Sequence, residues 1–180
     1  IVIFNNSIKV NLLIRVKSSK THVRWSNMDG PLKNLLVVDL TRVLVGPYCT
    51  MILSDLGARV IKVEAPEIGD DSRKFGPFIK DYSAYFMSLN RGKESIALNL
   101  KNDEDKKIFE KILSKADILV ENFKPGTLEK WGFGWKDVNK KYPKLIYASA
   151  SGFGQTGPLK ELPAYDLSLI HISEPTRRIT

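Results

Sequence analysis

Two loops in this 180-residue chain carry residue types suited to holding a ligand. The first, residues 41–47, follows the apolar run at 35–40 and leads into a stretch with apolar residues at 48, 49, 52, 53 and 56. A loop between a parallel strand and a following helix is where open sheets bind anionic ligands. Its one glycine, Gly46, does not make the G-x-G-x-x-G pattern of a dinucleotide site. The second loop is Ser151-Gly152-Phe153-Gly154-Gln155-Thr156-Gly157-Pro158. Three glycines in so short a span either bring backbone close to a ligand or simply allow a sharp turn. Nucleophile and metal chemistry find less support. Cys49 is the single cysteine, which excludes an intramolecular disulfide, and its helical spacing predicts a packed core thiol. His22 and His171 lie near the two ends, and no Cys/His/acid group has metal-ligand spacing.

The elements that must position these loops alternate regularly. The run at 35–39 reads as a buried strand, 48–56 as a helix ending at Gly57, and 59–64 as a second strand with polar and apolar residues in turn. Residues 65–81 read as a loop rich in Gly, Pro and charge, and 82–89 as a short aromatic helix. A strand is predicted at 94–100, then a helix capped by Asn102 or Asp103 and running to Lys115, with Ile108, Ile112 and Leu113 as its buried stripe. Strands at 117–122 and 144–149 flank two short helices, at 128–131 and 135–141. Strand–helix alternation at this spacing predicts an α/β fold, a Rossmann-like parallel sheet with flanking helices.

Composition sets limits on partners. The net charge of +8 is unevenly spread. Residues 1–28 hold five basic residues and no acid, whereas 29–170 hold 21 basic against 19 acidic. The body therefore lacks the basic face that a nucleic-acid partner requires. No run reaches membrane-spanning length. Residues 1–27 have the composition of a mitochondrial transit segment, and translated upstream sequence explains them equally well. They are left out of the fold. Cytoplasm and mitochondrion both fit.

Assembled in order, the motifs resemble family III coenzyme A transferases of the CaiB/BaiF type. The resemblance rests on Val38-Asp39-Leu40-Thr41-Arg42-Val43-Leu44 with Gly46-Pro47, Asp55-Leu56-Gly57-Ala58, and Val60-Ile61-Lys62-Val63-Glu64. It continues through Gly69-Asp70-Asp71-Ser72-Arg73, Leu89-Asn90-Arg91 with Lys93, Val120-Glu121-Asn122-Phe123-Lys124-Pro125-Gly126, the second glycine loop, and Pro163-Ala164-Tyr165-Asp166. It implies a CoA-transferase domain at 30–166, truncated to the CoA-binding half of the family fold. The implied reaction moves CoA from an acyl-CoA to a free carboxylic acid through an aspartyl anhydride and an enzyme–CoA thioester. CoA and acyl-CoA enter as substrates, with no permanently bound cofactor, and the full-length protein is expected to form an interlocked homodimer.

By motif, the resemblance assigns CoA contacts to Leu44, Val45, Leu98, Asn99, Lys101, Asn122, Phe123, Lys124 and Lys130. Backbone amides and ammonium groups suit phosphates, and apolar side chains suit adenine. Each of the three lysines would be equally at home on a solvated surface. Ala65 stands where relatives often carry a basic residue, which removes one phosphate contact. The family's nucleophilic aspartate is expected downstream of this chain, so Asp166 is read as a helix cap or loop anchor. Racemase relatives place a histidine where this chain has Tyr165, a poor acid/base group at neutral pH, so transferase is favoured over an acyl-CoA racemase. A dinucleotide-binding oxidoreductase is the other alternative: Glu64 suits a ribose contact, but the first loop lacks the glycines. Residues 167–180 depart from the family and resemble translated adapter read-through.

Overall fold

The computed structural model describes residues 30–162. The segments at 1–27 and 167–180, and with them His22, Tyr165, Asp166 and His171, lie outside the described residues. The chain runs β1 (Leu36–Asp39), α1 (Val45–Asp55), β2 (Arg59–Glu64), a 3-10 turn (Asp71–Lys74), the hairpin β3 (Phe78–Ile79) and β4 (Tyr82–Ser83), and α2 (Ala84–Leu89). It continues through β5 (Glu94–Ala97), α3 (Asp103–Leu113), β6 (Ile118–Glu121), α4 (Thr127–Trp131), α5 (Trp135–Lys141) and β7 (Ile146–Ser149).

Five strands form one parallel sheet in the order β5-β2-β1-β6-β7. The chain steps outward from β1 to β2 to β5, then returns to the other side of β1 for β6 and β7. The order therefore reverses between β1 and β6, the place where doubly wound sheets bind ligands at their carboxyl edge.

Alternate residues on each strand supply opposite faces. Val38, Leu119 and Ile96 pack with Phe109, Leu113, Leu128 and Val138 of α3, α4 and α5. Val37, Val60 and Val120 pack on the other face with Ala58, and Leu53 of α1 lies against them. Phe109 is fully buried and meets Phe133 edge to face, with ring centroids 4.8 Å apart. Such a pair adds about 0.5–1.5 kcal/mol to its area burial.

Two expected faces are corrected. On α3 the buried stripe is Phe109 and Leu113, spaced i and i+4, while Ile108 is 38% exposed. On α1 the buried residues are Gly46, Pro47, Thr50, Met51 and Ser54. Apart from Leu53, the apolar stripe read from the sequence faces outward: Tyr48 is 52%, Ile52 40% and Leu56 41% exposed, and Cys49 is exposed rather than packed in the core. Close approach is the reason. A Cβ on Gly46 would stand 2.2 Å from the Cβ of Thr41, so the helix packs on its small residues. Gly57, at φ 97°, ends the helix as expected. The hairpin at 78–83 falls partly in the predicted loop, its two-residue strands being too short to show a period.

Candidate functional site

Under the loop after β1 lies a network of buried charges. Asp39, the last residue of β1, is fully buried. Its carboxylate accepts hydrogen bonds from the Thr41 amide (2.8 Å) and hydroxyl (2.5 Å), the Thr50 hydroxyl (2.6 Å) and the Lys93 ammonium (3.0 Å). Lys93 donates further to the Pro47 carbonyl, the Thr50 hydroxyl and Asn90 Oδ1, so the residue just before β5 is tied to the start of α1. From β2, Lys62 is 1% exposed and reaches the Thr41 carbonyl (2.7 Å) and Asp70 Oδ2 (2.9 Å). The other Asp70 oxygen accepts from the Val43 amide and from both the amide and hydroxyl of Ser72.

The electrostatics follow from this pairing. Burial pushes the Asp39 carboxyl up, but Lys62, Lys93 and the two threonines more than reverse it, leaving its pKa below the usual carboxylate range. Asp70 is lowered in the same way, burial being outweighed by Lys62 and Ser72. Burial also lowers Lys93 to about 8, against the opposing pull of Asp39. The network holds a strained loop in place. Val43 sits at φ 70°, a region β-branched residues avoid at a cost of about 1–3 kcal/mol. Its amide is held by Asp70, and the Arg42 backbone is clamped on both sides by Asn122, whose Oδ1 accepts from the Arg42 amide and whose Nδ2 donates to the Arg42 carbonyl, each at 2.8 Å. Arg42 in turn reaches Asp71 at 2.7 Å.

Glu64 ends β2 and is also spoken for. Arg73 grips both its oxygens at 2.7 Å, Ser95 donates at 2.6 Å and the Asp70 amide at 3.0 Å. Burial raises this carboxyl and the Arg73 and Ser95 contacts outweigh it, so its pKa is lowered. Glu121, the last residue of β6, differs. It accepts from the Phe123 amide (2.8 Å) and the Ser149 hydroxyl, and burial with the nearby Glu129 charge raises its pKa.

The residues expected to touch CoA lie at or just after the carboxyl ends of β1, β5 and β6, except Lys130, which sits in the last turn of α4, and they present different groups. Leu44 and Val45 open α1, and Val45 is exposed. Leu98 is buried among core residues, which leaves its backbone, not its side chain, at the edge. Asn99 and Lys101 are exposed, the Asn99 side chain accepting from the Lys101 amide. The Asn122 amide group is committed to Arg42. Phe123 is half-buried edge to face with Trp131, centroids 5.3 Å apart, and Lys124 and Lys130 are exposed. Because β5 and β6 are three strand spacings apart, the two outer groups are separated by roughly 14 Å. A ligand that met both would be elongated.

Residues 32–174 match the family described as CoA-transferase family III. The chain belongs to that family. It is 58% identical over 137 residues to acetyl-CoA:oxalate CoA-transferase of Acetobacter aceti, an alignment covering 76% of this chain and 35% of that protein. Against succinyl-CoA:glutarate CoA-transferase of Homo sapiens the identity is 45% over 156 residues, covering 83% of this chain and 36% of the relative. A crystal structure of a CAIB/BAIF family protein from Brucella suis superposes with a TM-score of 0.76 at 41% identity, covering 81% of this chain and 39% of that one. The chain thus spans about a third of the length of the curated relatives it matches. As a family III member, it has its Gly46-Pro47 and Glu121-Asn122-Phe123 motifs on adjoining strand exits, β1 and β6, at the point where the strand order reverses.

Asp39, Lys62, Asp70 and Lys93 stand in the family motifs, but their joining in one buried charge network was not read from the sequence. A signal existed: a lysine inside a parallel strand covered on both faces needs a carboxylate partner. Among the described residues no group of three or more His, Cys, Asp or Glu could hold a metal ion. None of the described helices is long and apolar enough to cross a membrane.

Proposed function

We propose that this chain supplies the CoA-binding part of an enzyme that moves CoA from an acyl-CoA to a free carboxylic acid. The observation that carries this reading is the family match, with 58% identity to an acetyl-CoA:oxalate CoA-transferase. In the proposed complex the backbone at Leu44, Val45 and Leu98 and the side chains of Asn99, Lys101, Lys124 and Lys130 meet the phosphates. Phe123 lies against the adenine, and Asn122 contributes its backbone while its side chain holds Arg42. Transfer proceeds through an aspartyl anhydride and then an enzyme–CoA thioester, with the nucleophilic aspartate outside residues 30–162. The substrates are an acyl-CoA and a carboxylic acid, and the full-length protein is an interlocked homodimer.

The state of Glu64 argues against a nicotinamide dinucleotide on the same edge. An acid at the end of the second strand reads the ribose of a dinucleotide only if its oxygens are free. Here both are gripped by Arg73, and the residue is 8% exposed. Calorimetric titration with coenzyme A and with NADH tests the proposal: saturable binding of the first alone is expected, and binding of NADH alone would overturn it.

A further inference from the structure

The carboxyl edge at β7 carries a hydrogen-bond chain that runs from the interior to the second glycine loop. Glu121 is 5% exposed and accepts the Ser149 hydroxyl proton. Ser149 Oγ, its proton committed inward, accepts from Gln155 Nε2 at 2.6 Å. Gln155 also approaches Ser151 Oγ at 3.5 Å, and the Gly154 amide reaches the Ser151 carbonyl at 3.4 Å. Gln155 is itself exposed, so water could satisfy its amide, yet it folds back on the strand end. The direction of each bond is forced from below. A buried carboxylate can only accept, so the serine must donate to it and is left to accept from the next group out. A glutamine that donates inward through Nε2 turns its Oε1 away from Ser149.

We infer that Glu121 and Ser149 are positioning residues for the loop at 152–158, fixing the orientation of Gln155 so that it offers an acceptor oxygen outward. The group this oxygen suits is an N–H or O–H donor. If the edge binds CoA as proposed above, on which this assignment of a ligand rests, the donors available are the amide N–H groups of the pantetheine arm. The burial that raises the Glu121 pKa is consistent with a carboxyl held for its hydrogen bonds rather than for a paired charge.

The test reverses the polarity of the chain at pH 8, well above the ordinary carboxylate range. Amide hydrogen exchange at 153–157 is measured in the full 180-residue chain. In Q155E a carboxylate faces a serine that has no proton to give, and exchange is expected to quicken about tenfold, the loss of one side-chain hydrogen bond with repulsion added. In E121Q/Q155E the amide at 121 can donate to Ser149, whose proton then turns outward to residue 155, and protection is expected to return. Equal exchange for Q155E in the two backgrounds would overturn the assignment. Ser149→Ala, at a half-buried position, gives a second check: without the hydroxyl, Gln and Glu at 155 should exchange alike, and a persisting difference overturns it. Coenzyme A affinity is then compared between the unaltered chain and Gln155→Leu. A Kd raised about fivefold supports the outward acceptor, and an unchanged Kd overturns that part. Failure of the unaltered chain to bind coenzyme A would sink the proposed function, while the exchange data still decide the orientation of Gln155.

Discussion

Asp39 and Glu121 end neighbouring parallel strands, and the fold seals them in opposite ways. Asp39 lies between two ammonium groups and two threonine hydroxyls, and its pKa falls. Glu121 is met by a serine hydroxyl and a backbone amide, and its pKa rises. The first arrangement is a charge network that welds β1, β2, β5 and α1 into one block. The second is a neutral-donor chain leading out to a loop. The carboxyl edge is thus held by ion pairs on its β2 side and by uncharged hydrogen-bond donors on its β7 side.

The largest expected effect breaks the ion-paired side. Lys62→Met keeps the length of the side chain but leaves Asp70 buried without its cation and Asp39 with Lys93 alone, and about 3–5 kcal/mol should be lost in urea unfolding. A loss below 1 kcal/mol would mean that the network is not what holds this half. Next comes the link between the halves. Asn122→Ala removes both hydrogen bonds to the Arg42 backbone and should cost about 1–3 kcal/mol, with weaker coenzyme A binding from the loosened first loop, measured by calorimetry. The smallest change is expected from Glu121→Gln, which removes a buried charge with no paired cation and should alter stability at pH 7 by less than about 1 kcal/mol.

Acid titration sharpens the same contrast through its sign. Asp39, Asp70 and Glu64 have folded pKa values below their ordinary ones, near 4. Their stabilising contribution is fully present above that range and is lost as pH falls through the folded values. Glu121, with its pKa raised, works the other way: its contribution is fully present below the ordinary value of 4.5 and is lost as pH rises through the folded value. As pH falls from 7 to about 3 it therefore offsets part of the loss on the other side, which sets in below about pH 5 as the unfolded carboxylates take up protons. Glu121→Gln should make the fall in unfolding free energy over that interval steeper, and an unchanged slope would contradict the raised pKa.

The regular parts of the fold were legible because they are local. The strand at Arg59–Glu64 and the helix at Trp135–Lys141 have the limits read from the sequence. Alternation of strand and helix was enough for the parallel α/β sheet. What escaped is what depends on partners far along the chain. The alternation in β2 marked Lys62 as polar, and only the cover on both faces of the sheet shows that it is buried against Asp70. The outward stripe of α1 could not be foreseen, because the helix is drawn in by Gly46 against Thr41 and by Thr50 against Asp39, not by its larger apolar residues. Family motifs pointed to residues at the exits of β1, β5 and β6. They did not show that the Asn122 amide is engaged 80 residues away or that the Leu98 side chain points into the core.

The paired bonds between Asn122 and Arg42 have a consequence for the shape of anything that docks at this edge. They close the gap between β1 and β6 at its base, where a reversed strand order would otherwise leave a cleft. A visiting molecule meets a floor there, not a shaft. A molecule that spanned this edge would lie lengthwise, like a beam across joists, its grip spread over several shallow footholds instead of one deep plug.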